Sequence, residues 1–555
     1  MKDPTILTFD LGTQSMRGMV VNRQGKILYY AQYKYPKPYV SIQPGYADVD
    51  PMMYYATIRI LMDELYKQDA QCLQHCVGVT LACIRDTILL LDENKKPIRD
   101  AILWLDHRLA KDTSRIPGWV LKASSVVHMR KVLEQQYCAS HINWLIENEK
   151  DSYARCDKVV FLPSFLHYLL TGNLVDTASN MIGHLPFDYK HQTWQKDRDI
   201  KRYMCDIPKE KLVDLVTESI LGTISEQASL ETGIPKGLPL VATGSDKGCE
   251  TLGVSAIHPN QASLSFGTTA TIQFTLDQYV TPEKFLPSYP SVLDGYYNPE
   301  IEIFRGYWLI SWFKKEFAAK EVQLAQEMGI APEDLLNEQL KHISCGSEGL
   351  ILQPFWTPGV INPDAKGSMI GFHDAHTRIH LYRAIIEGIG YALYDGMIHM
   401  QKRTGVPIEE VFVSGGGSQS DEICQITADI FGVKVMRIQT HEATGIGASI
   451  AGFTKLGFFQ SYQEAISSMV HIKDSFTPDM ENHRIYHDLY TQIYRKIYPS
   501  LVPLYRKLSN LVKTKGKIDM KPYKDFEPNW VKEAAPKRSY RSIFPLGRSG
   551  ICEIS

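Results

Sequence analysis

The first hundred residues alternate between short β-rich runs and stretches of helical spacing. Thr5–Asp10 is apolar with a polar end, Met16–Asn22 follows a tight polar loop, and Lys26–Tyr35 follows the turn around Gly25. That pattern predicts three consecutive strands. Apolar positions over Met52–Tyr66 predict a helix, and buried strands follow at Cys76–Leu81 and at Thr87–Leu91, before the turn Asp92–Pro97. The second half repeats the scheme: Gln261–Phe274 reads as strand, loop and strand, Val411–Val413 as a strand, and Asp421–Phe431 as a helix stopping at Gly432. Alternation of this kind predicts an α/β fold with mixed sheets. Two halves that each open on strand, polar turn and strand suggest an ancient duplication. The expected division is a first domain over 1–256, a second over 257–475, and a helical extension and tail over 476–555. That last part holds a helix at His487–Leu511 and a Pro- and Lys-bearing tail from Lys513, either packed at the periphery or partly disordered.

Composition changes this picture little. The 555 residues carry a formal net charge of -2 and are 44% hydrophobic. That length suits two to four domains, each with its own core. The near-neutral balance gives no electrostatic reason to expect nucleic acid or an anionic membrane as partner. No segment approaches the roughly 18 apolar residues of a membrane span, and the start shows no signal-peptide pattern. A cytoplasmic location is the expectation. Ten cysteines, scattered apart from Cys72 and Cys76, read as reduced thiols. Cys72-x-x-His75-Cys76 has no second ligand pair at metal-site spacing, so two packing cysteines on a helix are expected there.

Three loops carry candidate phosphate chemistry. In Asp10-Leu11-Gly12-Thr13-Gln14-Ser15-Met16-Arg17, Gly12 permits a tight turn, so that backbone N–H groups and the Thr13 and Ser15 hydroxyls can face a phosphate chain. Arg17 can add charge-assisted hydrogen bonds, and Asp10 can hold Mg²⁺ through water. The bland alternative is a polar β-turn. Leu264-Ser265-Phe266-Gly267-Thr268-Thr269-Ala270 repeats the plan, and Val413-Ser414-Gly415-Gly416-Gly417-Ser418-Gln419-Ser420 is a glycine run entering a helix, where backbone can lie against a nucleotide. Leu240-Val241-Ala242-Thr243-Gly244-Ser245-Asp246 reads as a buried strand, a glycine turn and a helix start. Asp246 is there either a helix cap or, at a hinge between domains, the acceptor of a hydroxyl proton in phosphoryl transfer.

With these residues in view, the chain resembles the FGGY carbohydrate kinases, the family of glycerol kinase, xylulokinase, ribulokinase and gluconate kinase. The match runs from Thr5 to about Tyr498 and includes Gln43–Pro51, Ala101–Arg108, Phe161–Gly172 and Tyr382–Gly388. The resemblance implies two ribonuclease-H-like, actin-like ATPase domains with the active site in the cleft between them, and ATP with Mg²⁺ as cofactors. It implies Asp246 as general base, Asp10 and Asp246 toward the metal, and Asp10, Gly12, Thr13, Ser15 and Arg17 as the first phosphate group. Gly267 and Thr268 would form the second, and Gly415, Gly416, Gly417 and Ser420 the adenosine side. Trp104, Asp106 and Arg108 match the family's substrate-side motif. Arg85-Asp86 resembles the Arg-Glu of glycerol kinases, a donor and acceptor suited to vicinal hydroxyls. Trp104 could pack against substrate or simply belong to the core.

The expected partner is a small sugar or polyol, a ketose or short polyol being favoured, and a homodimer is compatible with this reading. Two departures stand out. Leu81-Ala82-Cys83-Ile84 is more apolar than in glycerol kinases and unlike the xylulokinase segment. Leu352-Gln353-Pro354-Phe355-Trp356-Thr357-Pro358-Gly359 stands where many members carry Gly-Glu-Arg, although Asp364-Ala365-Lys366-Gly367 keeps the family frame. The rival readings are an actin-like nucleotide switch, which lacks a Trp-x-Asp-x-Arg segment, and a degenerate sugar-binding member. Asp10, Thr13, Arg17, Asp246 and Thr268 together argue against the latter.

Overall fold

The computed structural model describes residues 3–514, apart from 127–129, 197–198, 206, 284–285 and 360–361. The opening residues form β1 (Thr5–Leu11), β2 (Ser15–Asn22) and β3 (Ile27–Lys34), an antiparallel meander. Helix α1 (Met52–Gln68) follows, then β4 (Cys76–Cys83), β5 (Ile220–Thr223) and β6 (Pro239–Val241). They make one six-stranded sheet in the order β5-β6-β4-β1-β2-β3, with β1, β4 and β6 parallel. A second six-stranded sheet holds β7 (Gln261–Phe266), β8 (Ala270–Phe274), β9 (Glu300–Ile303), β10 (Glu410–Ser414), β11 (Lys434–Ile438) and β12 (Ile472–Phe476), ordered β9-β8-β7-β10-β11-β12. Here β7, β10 and β11 are parallel. The two sheets share one plan: a three-stranded meander, two parallel strands and an antiparallel edge. This is the two-domain α/β architecture that the sequence pattern predicts.

Strand alternation decides what each face meets. In the first sheet Leu7, Phe9 and Leu11 join the core under α1, where Tyr54, Ile58 and Leu61 pack. Ile6, Met19 and Val21 point the other way into a separate apolar cluster. In the second sheet Ala262, Leu264, Phe266, Ile272, Ile301 and Ile303 enter the core beneath α3 (Arg378–Thr404). Their alternates are polar: Ser263, Ser265, Thr271, Gln273, Glu300 and Ser414, all buried. Polar side chains out of water need partners, and these find them between the domains.

Those partners come from α2 (Asp246–Gly253), with α5 (Ala443–Lys455) crossing it; α4 (Asp421–Phe431) lies between α3 and α5 in the chain. From the first half, α2 lays Lys247, Glu250 and Thr251 on the second sheet's polar face, through Ser265, Ser414 and Gln273. From the second half, α5 covers the first sheet: Ile446, Ile450 and Phe453 pack with Ile6 and Met19, and Ser449 Oγ lies 2.8 Å from Thr8 Oγ1. The helices cross at Gly253 and Gly447. A Cβ on Gly253 would overlap the Ala443 carbonyl, and one on Gly447 the Cys249 carbonyl.

Two expectations need correction. Cys72 and Cys76 do not share a helix: Cys76 opens β4 beside Thr5, and Cys72 lies in the preceding turn. The C-terminal helix starts earlier than His487. Met480–Leu489, the turn Tyr490–Tyr494 and Arg495–Thr514 run on continuously, and Tyr486, Tyr490, Tyr494 and Ile497 sit in the second core. The expected tail beyond residue 514 falls outside the described residues.

Candidate active site

Parallel pairing gathers the candidate loops. In the first sheet Asp10 pairs with Ala82, Ile84 N–H donates to Leu11 O at 3.1 Å, and Cys83 bridges to Ser245. The ends of β1, β4 and β6 therefore set Gly12-Thr13, Arg85-Asp86 and Asp246 side by side. In the second, Ser265 pairs with Ser414, so Gly267-Thr268 lies beside Gly415–Gly417. Ligands of open α/β sheets bind outside such carboxyl ends. Helix α2 joins the two groups: Glu250 Oε1 accepts from Ser265 at 2.8 Å and from Ser414 at 2.6 Å, while Lys247 Nζ donates to Ser265 at 2.6 Å.

Asp246 occupies the first turn of α2 without being its cap. Ser245 takes that role, its Oγ accepting from Gly248 N–H at 3.2 Å. Among the described residues the Asp246 carboxylate accepts only from the adjacent Lys247 N–H, at 2.9 Å; it stands 4.0 Å from Arg85 Nε and keeps 26% of its side chain exposed. Burial raises its pKa above the ordinary value, against the pull of Arg85 and Lys247. Asp10, on the same face of β1 as Ile6 and Thr8, is pushed up to about 7 by burial, although Arg17 opposes the shift; Asp246, Glu442 and Glu250 add to it. Asp10 and Asp246 thus feel each other's charge. Their donor atoms are carboxylate oxygens alone, which suits Mg²⁺ carrying its own waters and phosphate oxygens. Among the described residues no group of three His, Cys, Asp or Glu could enclose a metal.

Other expected phosphate residues are placed unequally. Gly12 N–H closes the turn on Ser15 O at 3.0 Å, and Thr13 Oγ1 accepts from Trp104 Nε1 at 2.9 Å. Trp104, 37% exposed, stands over this loop rather than in the core. Ser15 differs from expectation: it is buried at the start of β2, where its hydroxyl accepts from Gln32. Arg17 is held between Asp10 at 3.0 Å and Glu442 at 3.2 Å. Thr268 is exposed on its loop, and the loop is pinned where Tyr307 N–H donates to Gly267 O at 3.1 Å. Gly415 has φ +82, and a Cβ on Gly417 would come within 2.5 Å of the Tyr307 ring, whereas Gly416 faces open space. Ser420 serves as the cap of α4, accepting from Ile423 N–H.

On the acceptor side, Asp86 has φ +48, an uncommon conformation that stores strain. Its carboxylate accepts from His184 N–H at 2.9 Å and lies 2.7 Å from His184 Nδ1. Gly183 at φ +147 is required there, because a Cβ would overlap that carboxylate. Burial alone would raise Asp86, but His184 and His141 hold it down at about 2. Arg85 forks onto Glu300 of β9, at 2.8 and 3.0 Å, across the two domains. The sequence-derived expectation for Asp106 and Arg108 is corrected. Their side chains are 0% and 1% exposed, they bind each other at 2.7–2.9 Å, Asp106 accepts from Ala47 N–H, and Arg108 reaches Asp48. They hold the loop that carries Trp104. The Leu352–Gly359 departure packs into the second core, with Trp356 against Trp312 at 5.3 Å.

Sequence reasoning passed over Glu250, Lys247, Glu300, Glu302, His184 and Glu442. A signal existed for one pair: Glu300-Ile301-Glu302-Ile303 alternates acid and apolar, which marks a strand with one acidic face.

Comparison with known proteins gives consistent matches. The model of the N-terminal domain of the FGGY family of carbohydrate kinases matches residues 5–253, and that of the C-terminal domain matches 262–456. An uncharacterized sugar kinase of Escherichia coli strain K12 is 30% identical over 366 residues, 64% of this chain and 74% of that protein. A xylulose kinase of Staphylococcus epidermidis is 27% identical over 494 residues, 88% and 95% of the two chains. The crystal structure of gluconate kinase from Lactobacillus acidophilus superposes with a TM-score of 0.76 at 20% identity, covering 91% of this chain and all of that one.

Proposed function

The chain belongs to the FGGY family of carbohydrate kinases, and from that footing we propose that it transfers the γ-phosphoryl group of ATP to a hydroxyl of a ketose or short polyol. In this reading Asp246 is the general base, the Gly12-Thr13 and Gly267-Thr268 turns receive the phosphates, and the Gly415–Gly417 loop receives the adenosine. The hydroxyl oxygen attacks the γ-phosphorus, its proton passes to the Asp246 carboxylate, and ADP leaves. A carboxylate raised by burial is a better proton acceptor at neutral pH than an ordinary aspartate. Asp10 and Asp246 would hold Mg²⁺, which when bound neutralises charge on the phosphate chain. Arg85, Asp86 and Trp104 line the acceptor side. Joining of the lobes keeps water from the reacting group.

One observation carries this reading: α2 ties the Asp246 end of the first sheet to the strand ends of the second, through Glu250 and Lys247. The test is ADP release from purified protein with Mg-ATP against a panel of ketoses, polyols and sugar acids. Acceptor-dependent turnover is expected. Hydrolysis at one rate with or without every acceptor would point to a nucleotide switch, and nucleotide binding without turnover to a degenerate member.

A further inference from the structure

Strand β9 brings two acids to the cleft. Ile301 and Ile303 enter the core under α3, so Glu300 and Glu302 share the opposite face, the one turned to α2 and Arg85. Glu300 is neutralised by the Arg85 fork and accepts from Gln273. Glu302, two positions on, has no ion-pair partner among the described residues. The wall continues through aromatic rings. The Arg85 guanidinium lies 5.4 Å from the Tyr289 ring centre, Tyr289 is 5.6 Å from Tyr189, and the Tyr189 hydroxyl donates to Gly183 O beside Asp86. Arg85, Tyr289 and Glu300 therefore form one connected cluster with Asp86 and His184 next to Asp246, and Glu302 adjoins it on the same face of β9, with Glu300 buried behind the Arg85 fork.

Resting on the kinase reading above, we propose that Glu300 and Glu302 complete the acceptor pocket from the nucleotide-side domain and select a neutral polyhydroxy acceptor over a sugar acid. Each basic group of this lining already faces an acid: Arg85 pairs with Glu300 and stands 4.0 Å from Asp246, Lys247 pairs with Glu250, and His184 lies against Asp86. An incoming carboxylate would find no unpaired cation and would stand beside Asp246 and Glu300, an unfavourable juxtaposition that works as a selection device. A neutral hydroxyl meets complementary groups. Burial, the neighbouring charge of Glu300 and a hydrogen bond to it push Glu302 up to about 8, toward the carboxylic acid, which unlike a carboxylate can donate as well as accept. Glu300 accepts only.

The experiment measures kcat/KM of the full chain for neutral ketoses and polyols and for gluconate, together with KM for ATP and the melting temperature. Wild type should favour its best neutral acceptor over gluconate by at least about 100-fold. Glu302→Leu should raise the acceptor KM about tenfold or more with ATP KM unchanged, and Glu302→Gln, which keeps a donor and an acceptor, should restore it to within about threefold. Glu300→Gln frees the Arg85 fork and should shift the ratio toward gluconate at least about tenfold. If that variant does not fold, the two Glu302 variants decide alone. An active enzyme that prefers gluconate, or an acceptor KM in Glu302→Leu within twofold of wild type, overturns this assignment and leaves the kinase reading standing. Absence of turnover with every acceptor overturns both.

Discussion

Asp246 and Asp10 sit in one electrostatic field, yet they make separate predictions. Asp246→Asn removes the proton acceptor but keeps the shape, so turnover should fall by at least about 100-fold with ATP binding nearly intact; a near-normal kcat in that variant would remove Asp246 from the reaction. Asp10 departs from its ordinary value of 3.8 to about 7. Between those values the folded protein holds a proton that the unfolded chain has released. This group's contribution to stability is therefore fully present below about pH 4 and is lost as pH rises through 7. Asp10→Asn, neutral throughout, should melt a few degrees above wild type at pH 8, without nucleotide or divalent ion, and the gap should narrow toward pH 5. Equal melting temperatures at both pH values would contradict the shift. At Gly416, where a Cβ meets nothing within 4 Å, Gly416→Ala should leave the melting temperature within about 1 °C and raise the KM for ATP. At this scale the sequence was informative where a residue's place is set locally, as for Asp246 at the helix start or Gly415 at its left-handed turn. It was misleading where neighbours decide. Ser15, Asp106 and Arg108 carry the right chemistry, but Gln32 and Asp48, distant in sequence, engage or enclose it.

The strands and helices were legible because their periodicity is local. Helix Asp421–Phe431 is read with its bounds unchanged, the strands of the first meander shift by a residue, and Gln261–Phe274 divides into β7 and β8 as read, while β9 was not read at all. Which sheet a helix covers was not legible, since α2 and α5 each lie against the sheet of the opposite half, and no window of sequence holds both partners. Their crossing is tight because glycine is present on both sides. A methyl at Gly447 forces backbone apart in a region with little room to yield. Gly447→Ala should lower the melting temperature by more than about 5 °C, whereas Gly118→Ala, with nothing within 4 Å of the added methyl, should be near neutral. Thermal melts of the two variants side by side test this, and similar curves would mean the crossing is loose.

At the scale of the whole molecule, two sheets of equal plan are joined through α2 and α5, the first presenting Ile6, Met19 and Val21 beside Thr8 and Asp10, the second a polar face. The α/β character and the doubling were visible in sequence, because each half repeats strand, turn and strand. The pairing of Arg85 with Glu300 was not, since 215 positions separate them and only the packing of the two domains brings them together. Among the described residues no helix is long and apolar enough to cross a membrane.

The exchange of helices between halves reaches back to synthesis. When the ribosome has released the strands carrying Ile6, Met19 and Val21, the helix that will shield them, Ala443–Lys455, is still some four hundred residues from being made. The nascent amino-terminal lobe must wait with an oily flank open to other chains. A gene split at the junction would give two products that are each sticky alone and soluble only when made together.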